Sequence, residues 1–128
     1  MPGEKVLVVE DNPVNRRLLE FLLRSQGYQV SEATTAQEAF ELLKSERIDL
    51  ILMDVQLPGI DGLEATKQLK ADPRTSDIPV VAVTSYAMKG DREKALAAGC
   101  VSYITKPIDK AILLQEVANL VGNARSVR

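Results

Sequence analysis

The 128-residue chain has no histidine, no tryptophan and one cysteine, and aromatic residues make up only 4% of it. Without histidine there is no Ser-His-Asp triad, no histidine general base and no histidine metal ligand, so any phosphohistidine in the protein's chemistry belongs to a partner. The lone Cys100 allows no intrachain disulfide, and its place after Ala97, Ala98 and Gly99 and before an apolar run is that of a packed, inert thiol. Long apolar runs are missing: the longest are strand-sized, so no transmembrane span is expected, and Met1 to Lys5 carry no apolar signal region. Cytoplasmic residence is the default expectation. Net charge is −2, with no basic helix and few stacking aromatics, which argues against nucleic acid or an anionic membrane as partner. Neither G-x-G-x-x-G nor G-x-x-x-x-G-K-[ST] occurs, so a bare nucleotide phosphate has no loop to sit in.

What is present is a soluble-protein composition, 45% apolar and 27% charged, at a length that suits one core. The chain reads as one domain over 1–128 with its core at about 5–121 and no effector domain after Gly122. Strands are predicted at about 5–10, 28–33, 49–54, 79–84 and 101–105, and helices at about 13–26, 35–45, 61–71, 88–98 and 109–121. Asn12 caps the first helix with Pro13 at its first position, Val14, Leu18 and Leu22 with Leu19 and Leu23 form its stripe, and Gly27 stops it. Thr35 and Glu38 form a capping box for the second helix, whose buried face is Ala36, Ala39, Phe40 and Leu43. The fifth helix opens at Asp109 and packs through Leu113, Val117, Leu120 and Val121, whereas the fourth has a thin apolar stripe and is expected to pack loosely. Strict alternation of strand and helix implies an α/β fold: a doubly wound, five-stranded parallel sheet in the flavodoxin-like order 2-1-3-4-5.

Three strands end in charge. Glu10 and Asp11 follow Val6 to Val9, Asp54 ends Leu50 to Met53, and Lys106 with Pro107 follows Tyr103 to Thr105. Ligands of open parallel sheets gather outside the strands' carboxyl ends, so three carboxylates and one ammonium are expected to converge there. Three negative charges in one cleft repel unless a cation sits among them, and a hard divalent ion with oxygen ligands, Mg²⁺ first and Mn²⁺ as the alternative, fits. A carboxylate beside such an ion can act as a nucleophile toward phosphorus, which makes Asp54 the candidate. Lys106 can anchor a phosphate as a point charge, and the hydroxyls of Thr84 and Ser85, ending the fourth strand, have a phosphoryl oxygen to donate to. Each residue also has a plainer role: Glu10 and Asp11 as helix-capping charges, Asp54 as the opening of a turn, Thr84 as a local backbone partner.

Glu10-Asp11-Asn12, the run Met53-Asp54-Val55-Gln56-Leu57-Pro58-Gly59-Ile60-Asp61-Gly62, Thr84 and Lys106-Pro107 together resemble the receiver domain of two-component response regulators, from about Lys5 to Val121. The resemblance implies that Asp54 accepts a phosphoryl group from a histidine kinase or histidine phosphotransfer protein. It implies that Glu10, Asp11 and Asp54 position Mg²⁺ with the backbone carbonyl of Gln56 as a further ligand. Lys106 would pair with the phosphoryl group, Thr84 would bond it, and Tyr103 would be the aromatic that turns inward on activation. The Lys106–Pro107 bond is expected to be cis, and Gln56 and Tyr86 occupy the positions expected to tune hydrolysis.

Asp11 to Leu19, Met53 to Pro58 and Ala87 to Glu93 resemble both hybrid-kinase receivers and stand-alone receivers of the cell-cycle and polarity type. The initial methionine favours the stand-alone reading. An aspartyl-phosphate phosphatase would want a second carboxylate at position 56, which is Gln56, and a flavodoxin-like electron carrier would want an uncharged loop where Glu10 and Asp11 stand. On the receiver reading the protein catalyses only its own phosphorylation and dephosphorylation. Its signal leaves through a downstream protein partner bound at the face of the fourth helix, fifth strand and fifth helix, with the chain a monomer or a weak phosphorylation-dependent dimer.

Overall fold

The computed structural model describes residues 3–85 and 90–126, the last five as backbone only. Among these residues strand and helix alternate as β1 (Lys5–Val9), α1 (Pro13–Arg24), β2 (Gln29–Ala33), α2 (Ala36–Leu43), β3 (Leu50–Asp54), α3 (Gly62–Ala71), β4 (Val80–Thr84), α4 (Asp91–Ala98), β5 (Ser102–Thr105) and α5 (Lys110–Ser126). All neighbouring strands pair in parallel, in the order β2-β1-β3-β4-β5. The expected doubly wound α/β fold is present, with ends that differ from the sequence reading by up to three residues except at the last helix, which runs on to Ser126.

The central strands β3 and β4 are buried along their whole length, and β1 is buried from Val6 onward, as continuous apolar runs require in a sheet covered on both faces. One face packs α1 and α5 through Leu19, Leu22, Leu23, Leu113, Val117 and Val121. The other packs α2, α3 and α4, largely through alanines.

The first helix corrects the expected stripe. Leu19, Leu22 and Leu23 are buried, but Val14 is 74% and Leu18 39% exposed, with Phe21 at 69% beside them. The leucine-rich segment offers two overlapping helical faces, and the sheet takes the one centred on Leu19, Leu22 and Leu23. The α2 capping box is also shifted. The Glu38 amide donates to Thr35 Oγ1 at 3.1 Å, but the Glu38 carboxylate accepts from the Thr34 amide and hydroxyl, at 2.7 and 2.8 Å, instead of from Thr35. Phe40 and Leu43 are only partly buried. The α4 helix buries only Ala95 and Ala98, in keeping with its thin stripe, and its described part begins at Asp91; positions 86–89, including its expected start, lie outside the described residues. Asp109 caps α5, accepting from the Ile112 amide at 3.0 Å.

Candidate functional site

Pairing of Val9 with Met53 sets β1 and β3 level, so the residues that follow, Glu10 and Asp54, come out side by side at the carboxyl edge. The Lys106 amide donates to the Thr84 carbonyl at 2.7 Å, which fixes the residue after β5 to the end of β4. The lysine stem then crosses the end of β4, and Nζ lies 2.9 Å from Glu10 Oε1 and 3.4 Å from Asp54 Oδ2. Glu10 and Asp54 are almost wholly buried, Lys106 is 12% exposed, and Asp11 is exposed at the mouth. One carboxylate oxygen from each of Glu10, Asp11 and Asp54 falls within 4.8 Å of the others. The expected convergence is there, in an open cleft of about 500 Å³. The Lys106–Pro107 peptide bond is cis, as the resemblance implied.

Burial pushes the Glu10 carboxyl above its ordinary value, neighbouring Asp54 pushes it further, and Lys106 opposes both. Apart from its ion pair with Lys106, Glu10 Oε1 is buried without a hydrogen-bond partner among the described residues. A buried oxygen of this kind, aimed into a cluster of hard donors, suits a divalent cation better than it suits an apolar wall. The residues present therefore fit Mg²⁺.

Local backbone geometry builds the cleft walls. Asn12 caps α1, its side chain accepting from the Val14 and Asn15 amides, while its own amide donates to Glu10 Oε2 at 3.2 Å. The Gln56 amide donates to Asp54 Oδ1 at 3.0 Å. Gly62 opens α3 directly against the end of β3, where an added Cβ would collide with the Asp54 carbonyl oxygen. Only glycine lets α3 start there.

Two residues that shape the site were missed by sequence reasoning in whole or part. Arg16 donates from Nη1 to the carbonyls of Glu10 and Asp11, at 3.0 and 3.3 Å, while its Nε pairs with Glu32 on β2 at 3.0 Å. It thus grips the loop that carries two of the carboxylates. Its only sequence signal is its place in the pair Arg16-Arg17, one turn into the helix, and such charges are common on solvated faces. The side chain of Gln56, the position expected to tune hydrolysis, also bridges to the end of β4: Nε2 donates to Thr84 Oγ1 at 2.6 Å and Oε1 accepts from the Ser85 amide at 3.1 Å.

Thr84 is buried, and with Gln56, Asp91 and Tyr103 it lines a separate cavity of about 70 Å³, while Ser85 faces the acidic cleft. Tyr103 stands between this cavity and an outer groove with Arg92 and Ile112. Burial, then the charge of Asp91, pushes its phenol up. Cys100 is buried, and burial raises its thiol, consistent with an inert role. Among the described residues no helix is long and apolar enough to cross a membrane.

The sequence matches the response regulator receiver domain family over residues 6–118. It is 43% identical over 121 residues to the polar-differentiation response regulator DivK of Brucella anthropi, covering 94% of this chain and 98% of that protein. DivK of Brucella ovis is 42% identical over the same share of each chain. The structure is similar to the receiver domain of the sensor histidine kinase PA1611 from Pseudomonas aeruginosa, which has a magnesium ion coordinated in its active site cleft, with a TM-score of 0.86 and 39% identity over 94% of this chain and 98% of that one. A putative response regulator from Chloroflexus aurantiacus superposes with a TM-score of 0.90 at 29% identity, again over 94% and 98% of the two chains.

Proposed function

The chain belongs to the response regulator receiver domains of two-component signalling, and we propose that Asp54 is its phosphoacceptor and Lys106, Thr84 and Tyr103 the groups that read the modification. The observation that carries the assignment is the buried Asp54 carboxylate, at the end of a central strand, 3.4 Å from the Lys106 ammonium and inside the acidic cluster. With no histidine in the chain, the donor is the phosphohistidine of a kinase or phosphotransfer protein. An Asp54 oxygen attacks phosphorus, the phosphorus–oxygen bond forms, the phosphorus–nitrogen bond breaks, and the imidazole leaves with the electron pair. Glu10, Asp11, Asp54 and the Gln56 backbone carbonyl would hold Mg²⁺, or Mn²⁺ in its place, which when bound neutralises charge on the transferring group. Lys106 adds a second positive charge and keeps the acidic cleft receptive to the phosphoryl group. Hydrolysis reverses the modification by attack of water on the same phosphorus. Gln56 borders that path; Tyr86, the other position expected to tune it, lies outside the described residues.

The donor must reach Asp54 past Asn12, Pro13 and Asn15, and the helix they open exposes Val14, Leu18 and Phe21 in one stripe. That stripe is the surface on which a helical donor would rest. Output is assigned to the α4–β5–α5 face, where Tyr103, Arg92 and Ile112 line the outer groove.

Incubation with acetyl phosphate and Mg²⁺ should add one phosphate by intact mass, with loss of the adduct on chelation and in Asp54→Asn. A phosphate retained by Asp54→Asn would defeat the assignment. Phe21→Ala should slow transfer from the phosphorylated donor protein at least tenfold and leave transfer from acetyl phosphate unchanged; equal slowing of both would place the donor surface elsewhere.

A further inference from the structure

The Gln56 carboxamide is clasped to the end of β4 by two bonds at once, and its orientation follows from its partners. The Ser85 amide can only donate, so Oε1 must face it, at 3.1 Å, which leaves Nε2 to the Thr84 hydroxyl oxygen at 2.6 Å. On the other side of the same residue, the Gln56 backbone amide holds Asp54 Oδ1 at 3.0 Å. One residue therefore spans from the acceptor carboxylate to the two β4 groups that a phosphoryl oxygen on Asp54 would reach for. We infer that the Gln56 carboxamide is a latch that occupies the Thr84 hydroxyl and Ser85 amide in the unphosphorylated protein and must be displaced for the switch to engage. This goes beyond a role at the hydrolysis step, and it rests on the phosphoacceptor reading above.

The physical consequence concerns the threshold of switching. A phosphoryl group that draws Thr84 and Ser85 toward Asp54 gains two hydrogen bonds but must first break two, so its net advantage is smaller than the bonds it makes suggest. Gln56 also lines the cavity beside Tyr103, so swinging the carboxamide away vacates the wall that separates this cavity from the acidic cleft. Gln56 is a positioning residue, acting through Thr84 and Ser85.

Gln56→Met keeps the length and bulk of the side chain and removes both bonds; Gln56→Ala removes the bulk as well. Beryllofluoride with Mg²⁺ is the probe, as a stable mimic of the acyl phosphate. The Ser85 amide of the untreated Gln56→Met protein should exchange with solvent about tenfold faster than in wild type, and beryllofluoride should bind both variants about tenfold more tightly. Tighter binding in Gln56→Ala alone would trace the effect to opened space and overturn the latch. Unchanged Ser85 exchange with unchanged or weaker binding in Gln56→Met would overturn it equally. Failure of wild type to bind beryllofluoride would instead bring down the phosphoacceptor reading, and the latch with it.

Discussion

On the α1–α5 face of the sheet the buried side chains are leucine, valine and isoleucine, with no alanine among them; on the α2–α3–α4 face six of the buried residues are alanines. A buried leucine contributes about 1.5–3 kcal/mol of transfer free energy, while an alanine methyl contributes a fraction of that. The first face is a wall that resists displacement. The second can shift at low cost, and on it lie α4, the 70 Å³ cavity and Tyr103. The acidic cleft sits at the carboxyl edge of the sheet, above both faces: Glu10 and Asp54 are set by the paired strands β1 and β3, and Ser85 and Lys106 reach it from just beyond the ends of β4 and β5. The chemistry thus sits at the edge where a rigid face and an easily shifted face of one sheet meet.

The largest effect should come from the wall itself. Leu113→Ala, fully buried on the α1–α5 face, should lower unfolding free energy by about 2–5 kcal/mol in urea titrations, whereas Leu96→Ala on α4, 42% exposed, should change it by less than about 1 kcal/mol. Comparable losses would erase the contrast between the faces.

Gly62→Ala tests the join between them. Its Cβ would collide with the Asp54 carbonyl, so the variant should lose about 1–3 kcal/mol and take up phosphate from acetyl phosphate at least tenfold more slowly. Normal uptake in a destabilised protein would show that Asp54 tolerates movement of its own backbone.

Glu10→Gln addresses the charge stored at the cleft. Because burial and Asp54 hold the Glu10 carboxyl above its ordinary value of 4.5, the stability its protonated form contributes is fully present below that pH and is lost as pH rises through the raised value. In chelator, the variant should therefore melt a few degrees above wild type at neutral pH, with the gap closing on acidification through this window. Mg²⁺ should stabilise wild type and narrow the gap from the other direction. A gap that is constant with pH would mean the carboxyl carries no such strain.

A small change in stability, about 1 kcal/mol, is expected for Thr84→Ala, which removes one buried hydroxyl. The variant should still take one phosphate, but amide exchange in 90–105 should lose most of its response to phosphorylation, with α1 and α5 unaffected in either protein. A preserved response would take Thr84 out of the switch and leave the α4 face without its trigger.

The fold and the acidic centre were legible in the sequence because both rest on strong, local signals. Apolar runs such as Val6–Val9 and Leu50–Met53 can only be buried strands in a chain with this alternation, and a charge that ends such a run has one place to go, the carboxyl edge where paired strands finish together. Asn12, Thr35 and Asp109 marked helix starts because capping is decided within a few residues. What the tertiary structure alone decided involves residues distant in sequence, or a choice between equivalent local options. The α1 segment carries apolar residues on two overlapping faces, and only docking on the sheet chose Leu19, Leu22 and Leu23 over Val14, Leu18 and Phe21. Arg16 reads as a solvated helix charge until Glu32 on the neighbouring strand and the Glu10 and Asp11 carbonyls are brought within its reach. Gln56 meets Thr84 and Ser85 only because β3 and β4 are paired, 28 and 29 residues apart along the chain. A strand's end is written in its own residues, but a side chain's partner across the sheet is set by register and rotamer, which only packing determines.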